Sequence, residues 1–392
     1  MSASRVAASV DGRHQAAGYQ WEESDAQIAA AYQLHPEQVI RFDTNTSPRR
    51  PPWLPGAVGA APIERINEYP DATYAELTEA IAAREAVEPS AIVVGAGADE
   101  ILDLVAKAWL RPGSRAVVAP PTYAMYAILS RQRGAAVVEV ARGPAEAEFG
   151  LDHDALVRAA AGAALVWLCD PNNPTGTTER PDALPGLLQR LAALPEGGPA
   201  VVVDEAYRDF AGQSMIGLVA AFPRLVVVRT LSKAHGLAGI RVGYALADPP
   251  HAARLARVRP PGSVSVLSAW IATRALRDPN FAPANVAAIR AERQRLRDAL
   301  ATAGWGVPDS VTNFLLLDAG GAAGADAAAE RLLRSGLVPR RFAGGPLRGF
   351  LRLTVRTPDQ DDLLVRALGE KPAPRAGSGR QARRERAREA GR

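Results

Sequence analysis

Seven short runs of apolar residues recur between positions 91 and 247, at Ala91–Val94, Ala116–Ala119, Ala135–Val140, Ala164–Cys169, Ala200–Val203, Leu225–Val228 and Val242–Ala245. Each run is continuous rather than alternating, which is the pattern of a strand buried on both faces. Segments of helical composition lie between most of them, including Thr73–Glu85 and Asp99–Trp109. Apolar strands alternating with helices predict an α/β fold, a mainly parallel seven-stranded sheet sandwiched by helices. Further on, residues 284–303 predict a long charged helix. Strand-like Phe314–Leu317 and Phe350–Val355 flank helix-like Ala322–Arg334, so a smaller α+β domain is expected there. Ahead of the sheet, residues 19–40 predict a helix with Ser24 as N-cap and His35-Pro36 as the stop. Arg41–Pro48 reads as a short strand breaking into a proline-rich loop through Pro55. The expected organisation is a disordered leader over 1–18 and an N-terminal segment over 19–66 that adds to the small domain and the substrate entrance. A large domain over 67–283, a small C-terminal domain over 284–370 and a basic disordered tail over 371–392 follow.

Composition changes this picture little. Hydrophobic content of 47% and charged content of 22% over 392 residues are ordinary for a globular enzyme of two domains. The single cysteine, Cys169, excludes an internal disulfide framework and a cysteine-based zinc site, and its place in an apolar run reads as a buried strand thiol. No metal is expected. Charge needs locating, because the net value of +4 hints at nucleic acid. Residues 371–392 hold eight Lys/Arg against two Glu, which leaves the first 370 residues at a net −2. The body is therefore not basic, and the tail has no apolar side chain larger than alanine with which to dock. Without an apolar h-region at the N-terminus or a run near eighteen apolar residues, a cytoplasmic protein without membrane or nucleic-acid partners is expected.

In open α/β sheets functional residues gather in the loops at the carboxyl ends of the strands. After Leu225–Val228 comes Arg229-Thr230-Leu231-Ser232-Lys233, which then recovers helix-compatible residues and reaches Arg241. An unpaired ammonium at the lip of a buried strand is costly. A lysine condensed with an aldehyde cofactor avoids that cost. Thr230, Ser232 and Arg241 nearby are donor types suited to a phosphate. Taken alone, this segment is equally well met by an exposed loop lysine. The other strand ends decide. After Val94 come glycines leading to a helix start at Ala98-Asp99, where backbone N–H groups favour phosphate. After Ala119 comes Tyr123, able to stack on a flat ring. After Cys169 comes Asn173, an amide donor in a rigid turn. After Val203 come Asp204 and Tyr207, the former an acid at the end of a buried strand. Pyridoxal phosphate needs an amine, an anion for its ring nitrogen, donors for its phenolate oxygen, a stacking face and a phosphate cup. Lys233, Asp204, Asn173 with Tyr207, Tyr123, and Ala98/Asp99 with Ser232 and Arg241 meet those needs in turn.

In this order, PNNPTG, VDEAY and TLSK-x(7)-R resemble the class I/II aminotransferases of pyridoxal-phosphate fold type I, over residues 19–370. Tyr19-Gln20, Tyr69-Pro70-Asp71, the GAGADE and PTYAMY segments and Phe350–Val355 are similar to the histidinol-phosphate aminotransferases within that class. The resemblance implies that Lys233 holds the cofactor and moves the substrate proton, and that Asp204 keeps the ring nitrogen protonated. It implies that Asn173 and Tyr207 donate to the phenolate oxygen and that Tyr123 stacks on the ring. Tyr69 would reach the neighbouring subunit's cofactor phosphate, which implies a homodimer with shared sites. Tyr19, Asn45, Arg340 and Arg352 would meet the substrate, with Arg341 a rival to Arg340. The partners implied are a small-molecule amino donor and a 2-oxo acid acceptor.

Two departures from the family pattern stand out. Asn45-Thr46-Ser47-Pro48 replaces the usual Asn-Glu-Asn-Pro at the substrate entrance, and His235 stands where an aromatic is usual and reads as a packing substitution. The implied activity is histidinol-phosphate:2-oxoglutarate transamination. The alternatives are an aromatic amino acid aminotransferase and a phosphothreonine-type decarboxylase with the same cofactor residues. A non-catalytic cofactor-binding regulator is not expected, since some eighteen leader residues are too few for a DNA-binding domain.

Overall fold

A computed structural model describes residues 22–372 of the chain. Its strands in chain order are Ile40–Arg41 (β1), Ile92–Gly95 (β2), Arg115–Val118 (β3), Ala136–Glu139 (β4), Leu165–Cys169 (β5), Ala200–Asp204 (β6), Leu225–Thr230 (β7), Gly243–Ala247 (β8), Phe314–Asp318 (β9), Leu337–Val338 (β10), Arg340–Arg341 (β11) and Phe350–Thr354 (β12). The seven expected runs form one sheet of order β2-β8-β7-β6-β5-β3-β4. All its neighbours are parallel except the two pairings of β8, which runs against both β2 and β7. Each central strand is buried along its whole length. Alternate residues feed two separate cores. Val201, Val203 and Val227 pack with Leu187 and Ile81 on one face, and Val202, Val226 and Trp167 with Leu102 and Val105 on the other. Burial on both faces is why these strands read as continuous apolar runs rather than alternating ones.

A third core surrounds the antiparallel sheet β11-β12-β9. Leu315, Leu317, Leu351 and Leu353 turn from this sheet onto the helices Ala322–Arg334 and Pro358–Leu368, together with Phe42 and Leu296. The 22-residue helix Phe281–Thr302 leads into this layer. β1 pairs in parallel with β10, so the N-terminal segment is fastened to the C-terminal layer. Ser24 caps the helix Asp25–Tyr32 through a full capping box with Gln27, as its position predicts.

Three expectations need correction. The stretch after Lys233 does not become an α-helix; it forms one 3₁₀ turn, Ala238–Ile240, between Gly236 (φ +63°) and Arg241 (φ +52°). Left-handed backbone at both ends leaves no room for a propagating helix. The proline-rich loop contains a short helix, Leu54–Gly59, started by a proline in its first turn. The basic tail does not begin at 371: the Lys371 N–H donates to Ala303 O at 2.9 Å and its Nζ to Asp318 O at 3.1 Å. The leader and residues 373–392 of the tail lie outside the described residues.

Candidate active site

The carboxyl ends of β5, β6 and β7 open on one point, and the residues that follow them carry the chemistry. Asp204 is the last residue of β6 and is 4% exposed. Its Oδ1 accepts from the Ala206 N–H at 3.0 Å and its Oδ2 from the Tyr126 hydroxyl at 2.8 Å. Burial pushes its carboxyl up to about 6, against the pull of these two donors. The neighbouring Glu205 points to the other side of the strand, where it pairs with Arg229 at 2.9 Å and accepts from the Met215 N–H. The alternation of a strand thus gives two adjacent acids different work.

Lys233 follows β7 on a tight turn braced by Thr230, whose Oγ1 donates to Ser232 Oγ at 2.9 Å and accepts from the Ser232 N–H at 3.1 Å. The Lys233 Nζ donates to the Asn45 carbonyl at 3.1 Å and lies 5.6 Å from the centre of the Tyr207 ring. Burial first, and then the positive charge of Arg352, bring its amine down to about 8, so a neutral nucleophilic nitrogen is accessible near neutral pH. Asn45, at φ +53° and 2% exposed, does more than line an entrance. Its Nδ2 donates to the Tyr207 hydroxyl at 2.9 Å, and its carbonyl also accepts from Asn313 Nδ2 at 3.0 Å. That leaves the Tyr207 O–H itself to donate. Asn173 is placed likewise: its Oδ1 accepts from Arg352 Nη1 at 2.6 Å, which leaves both N–H bonds of its amide for another acceptor.

A cluster of donors that could hold a phosphate lies beside these groups. The helix Gly97–Trp109 begins without a side-chain cap on its N-cap residue, so the N–H groups of Gly97, Ala98 and Asp99 have no intrahelical partner. Arg241 Nη2 approaches this turn and bonds Asp99 Oδ2 at 3.2 Å, while the Tyr123 hydroxyl donates to Asp99 Oδ1 at 2.8 Å. The close approach demands glycines. A Cβ on Gly97 (φ +83°) would lie 2.5 Å from Arg241 Nη2, and one on Gly243 2.6 Å from the Ala98 nitrogen. An uncapped helix start, two hydroxyls and a guanidinium make an anion cradle beside an amine of lowered basicity and a buried acid. This donor set fits pyridoxal phosphate.

The sequence-derived residues fall into three groups. Lys233, Asp204, Tyr207, Asn45, Asn173 and Arg352 form one linked cluster, with Tyr123, Asp99, Ala98, Thr230, Ser232 and Arg241 beside it. Arg340 and Arg352 are directly opposed across β11 and β12 and share a sheet face, whereas Arg341 pairs with Leu351 on the other. Arg340 therefore shares the sheet face of Arg352, and both Arg340 and Arg341 line the cavity at the edge of this sheet. Tyr69 stands apart, 92% exposed, and Tyr19 lies outside the described residues. His235 is buried and brought down to about 4, chiefly by burial, as a packing residue would be. The sequence alone did not single out Tyr126, Asn313 or Thr354. Tyr126 lies three residues past Tyr123, just inside the helix Met125–Gln132, and the two rings meet edge-on at 5.6 Å. Asn313 and Thr354, which donates to Phe42 O and accepts from the Asn45 N–H, carry no such signal.

The sequence matches the profile of the family described as aminotransferase class I and II over residues 40–368. It is 38% identical over 354 residues to a histidinol-phosphate aminotransferase of Roseiflexus castenholzii, covering 88% of this chain and 92% of that one. It is 35% identical over 336 residues to a histidinol-phosphate aminotransferase of Thermococcus gammatolerans, covering 84% and 91%. The fold superimposes on the crystal structure of histidinol-phosphate aminotransferase from Sinorhizobium meliloti in complex with pyridoxal 5′-phosphate. There the TM-score is 0.82 and the identity 26%, over 92% of this chain and 97% of that one.

Proposed function

The chain belongs to the class I and II aminotransferases, and from that premise we propose that it transfers an amino group from histidinol phosphate to 2-oxoglutarate in a ping-pong cycle. It is a pyridoxal-phosphate-dependent transferase of fold type I. When bound, the cofactor supplies an aldehyde carbon for the amino group and a ring that accepts the electron pair left at the substrate Cα. Lys233 holds the cofactor and then moves the proton at Cα, for which an amine near 8 is suited. Asp204 keeps a proton on the ring nitrogen, and its bonds from Tyr126 and Ala206 keep the acid charged in a dry setting. Tyr207 and Asn173 direct their donors at the phenolate oxygen. Ala98, Asp99, Thr230, Ser232 and Arg241 form the phosphate cup, and Tyr123 faces the ring.

The observation that carries the substrate is the opposed pair Arg340 and Arg352 on one face of the C-terminal sheet, with Arg352 reaching Asn173. Two guanidinium groups match a dianionic phosphate better than one, whereas an α-carboxylate needs a single bidentate partner. Relatives with 33–38% identity bear the matching name. The test is Arg340→Ala against Arg352→Ala. The first is expected to lower kcat/KM for histidinol phosphate about ten- to a hundredfold, and for glutamate much less. The second is expected to hurt both. Equal losses in Arg340→Ala would favour an aromatic aminotransferase instead.

A homodimer belongs to the same reading. Tyr69 is joined on the surface by exposed Val58, Ile63 and Ile66, apolar groups suited to a second copy. Mixing Lys233→Ala with Tyr69→Phe subunits should restore a site of wild-type affinity only if sites are shared. The division into a cofactor-binding domain over 67–283 and a small domain over 284–370 is supported by separate cores. No helix among the described residues is long and apolar enough to cross a membrane; a cytoplasmic location goes with this reading.

A further inference from the structure

Arg340 is already engaged. Its Nη1 bonds Glu22 Oε1, from the segment just ahead of the helix Asp25–Tyr32. The two side chains are 30% and 28% exposed and line one cavity of about 380 Å³ together with Arg41, Asp43 and Arg348. Asp43 is buried and held by both arms of Arg41, at 3.0 and 2.7 Å. Its carboxyl is raised, mainly by burial and further by the negative charge of Glu22. Glu22 therefore sits close enough to a buried acid to be repelled by it, while held by the guanidinium that lies opposite Arg352.

From this juxtaposition we infer that Glu22 is an internal competitor at the substrate contact, a carboxylate that occupies Arg340 until a substrate's distal anion displaces it. The inference rests on the reading of Arg340 as the second contact for that anion. A partly exposed ion pair is weak, so a better-charged ligand can take its place. A phosphate dianion brings more charge than a carboxylate and can accept two N–H bonds from one guanidinium. A donor with a neutral or singly charged distal group gains less from the exchange. Glu22 thereby raises the concentration at which an anionic donor engages Arg340 and keeps that guanidinium neutralised in its absence.

The test uses the full-length holoenzyme. Glu22→Gln keeps the shape and removes the competing charge. It should lower KM for histidinol phosphate roughly two- to fivefold, the worth of a partly exposed ion pair, with the change falling on KM rather than kcat. Inorganic phosphate, as a competitive inhibitor of the exchange between glutamate and 2-oxoglutarate, should tighten by a similar factor. Both gains should vanish when Arg340→Ala is added. Unchanged KM and phosphate inhibition in Glu22→Gln, a loss in kcat with both substrates, or a gain that survives Arg340→Ala would each overturn the inference. The phosphate arm separates this from the substrate reading. A wild type inert toward histidinol phosphate would remove that reading, while tighter phosphate inhibition in Glu22→Gln would still support the role of Glu22.

Discussion

Tyr126 shows how much of the site depends on a side chain that touches no reactant. It is fully buried, stacked on Trp167 at 5.3 Å and 12°, and its hydroxyl is one of two donors that keep Asp204 charged. Tyr126→Phe keeps the ring and removes the hydroxyl that bonds Asp204 and also meets the Cys169 thiol. A lost hydrogen bond to a charged group costs roughly 1.5–3 kcal/mol, so cofactor affinity should fall about ten- to a hundredfold. Fluorescence titration of the apoenzyme measures this, and an unchanged affinity would mean that Ala206 alone holds the acid. Lys233 predicts a pH dependence. Its amine is brought down to about 8, chiefly by burial, so the neutral nucleophilic form gains as pH rises through that value. The rate at which apoenzyme takes up cofactor covalently, followed by absorbance, should therefore climb between about pH 7 and 9 and then level off. A flat profile would place the amine elsewhere on the scale. The reacting residues were legible in the sequence because each follows a buried strand directly, where a polar side chain is costly to keep unless a partner or ligand engages it. Asn45 was legible only as an entrance residue; its bonds to Tyr207 and Lys233 span 162 and 188 positions, and no local pattern encodes them.

Among the elements, every strand of the large sheet was visible as an apolar run, and the helices between strands by their composition. Strand direction was not. β8 has the same continuous burial as the mutually parallel strands β5, β6 and β7, so its antiparallel course left no trace in the residue pattern. β10 and β11, two residues each, are too short to show any period. The junction of the helices Phe281–Thr302 and Pro358–Leu368 holds a feature hidden from the sequence, two acids facing one another. Asp361 is fully buried and its carboxyl is pushed up to about 8, first by burial and then by a hydrogen bond with Glu292. Arg295 satisfies Glu292, and the Arg356 N–H donates to both Asp361 oxygens. A carboxyl whose folded value lies above its unfolded one, near 3.8, favours the folded state fully below the unfolded value. That contribution drains away as pH rises to about 8. Wild-type Tm should thus decline from about pH 5 to 8 at this junction. Asp361→Asn, which mimics the protonated acid, should flatten the decline. A variant with the same slope as wild type would show that other groups set it.

For the whole molecule, the C-terminal boundary is testable by truncation. Ending the chain after Pro372 should leave Tm and turnover unchanged. Ending it after Glu370 removes the bonds of Lys371 to Ala303 and Asp318 and its place over the Trp305 ring, at 5.9 Å, and should lower Tm by a few degrees. Equal melting for both forms would make that anchor dispensable. Composition located the positive charge of the tail correctly, but residue type could not show that its first lysine docks through backbone and ammonium. The same holds for the substrate. The cofactor site was legible because many local motifs agree on one group, whereas the proposed donor contacts, Arg340 and Arg352 with Glu22 beside them, are brought together from opposite ends of the chain. The most direct measurement is a single-turnover absorbance experiment on the cofactor-loaded enzyme, mixed in turn with histidinol phosphate, tyrosine, phenylalanine and phosphothreonine. Histidinol phosphate should convert the aldehyde form of the cofactor to the amine form fastest, and 2-oxoglutarate should then restore it. Faster conversion by tyrosine or phenylalanine, with histidinol phosphate inert, or release of carbon dioxide from phosphothreonine, would contradict the account.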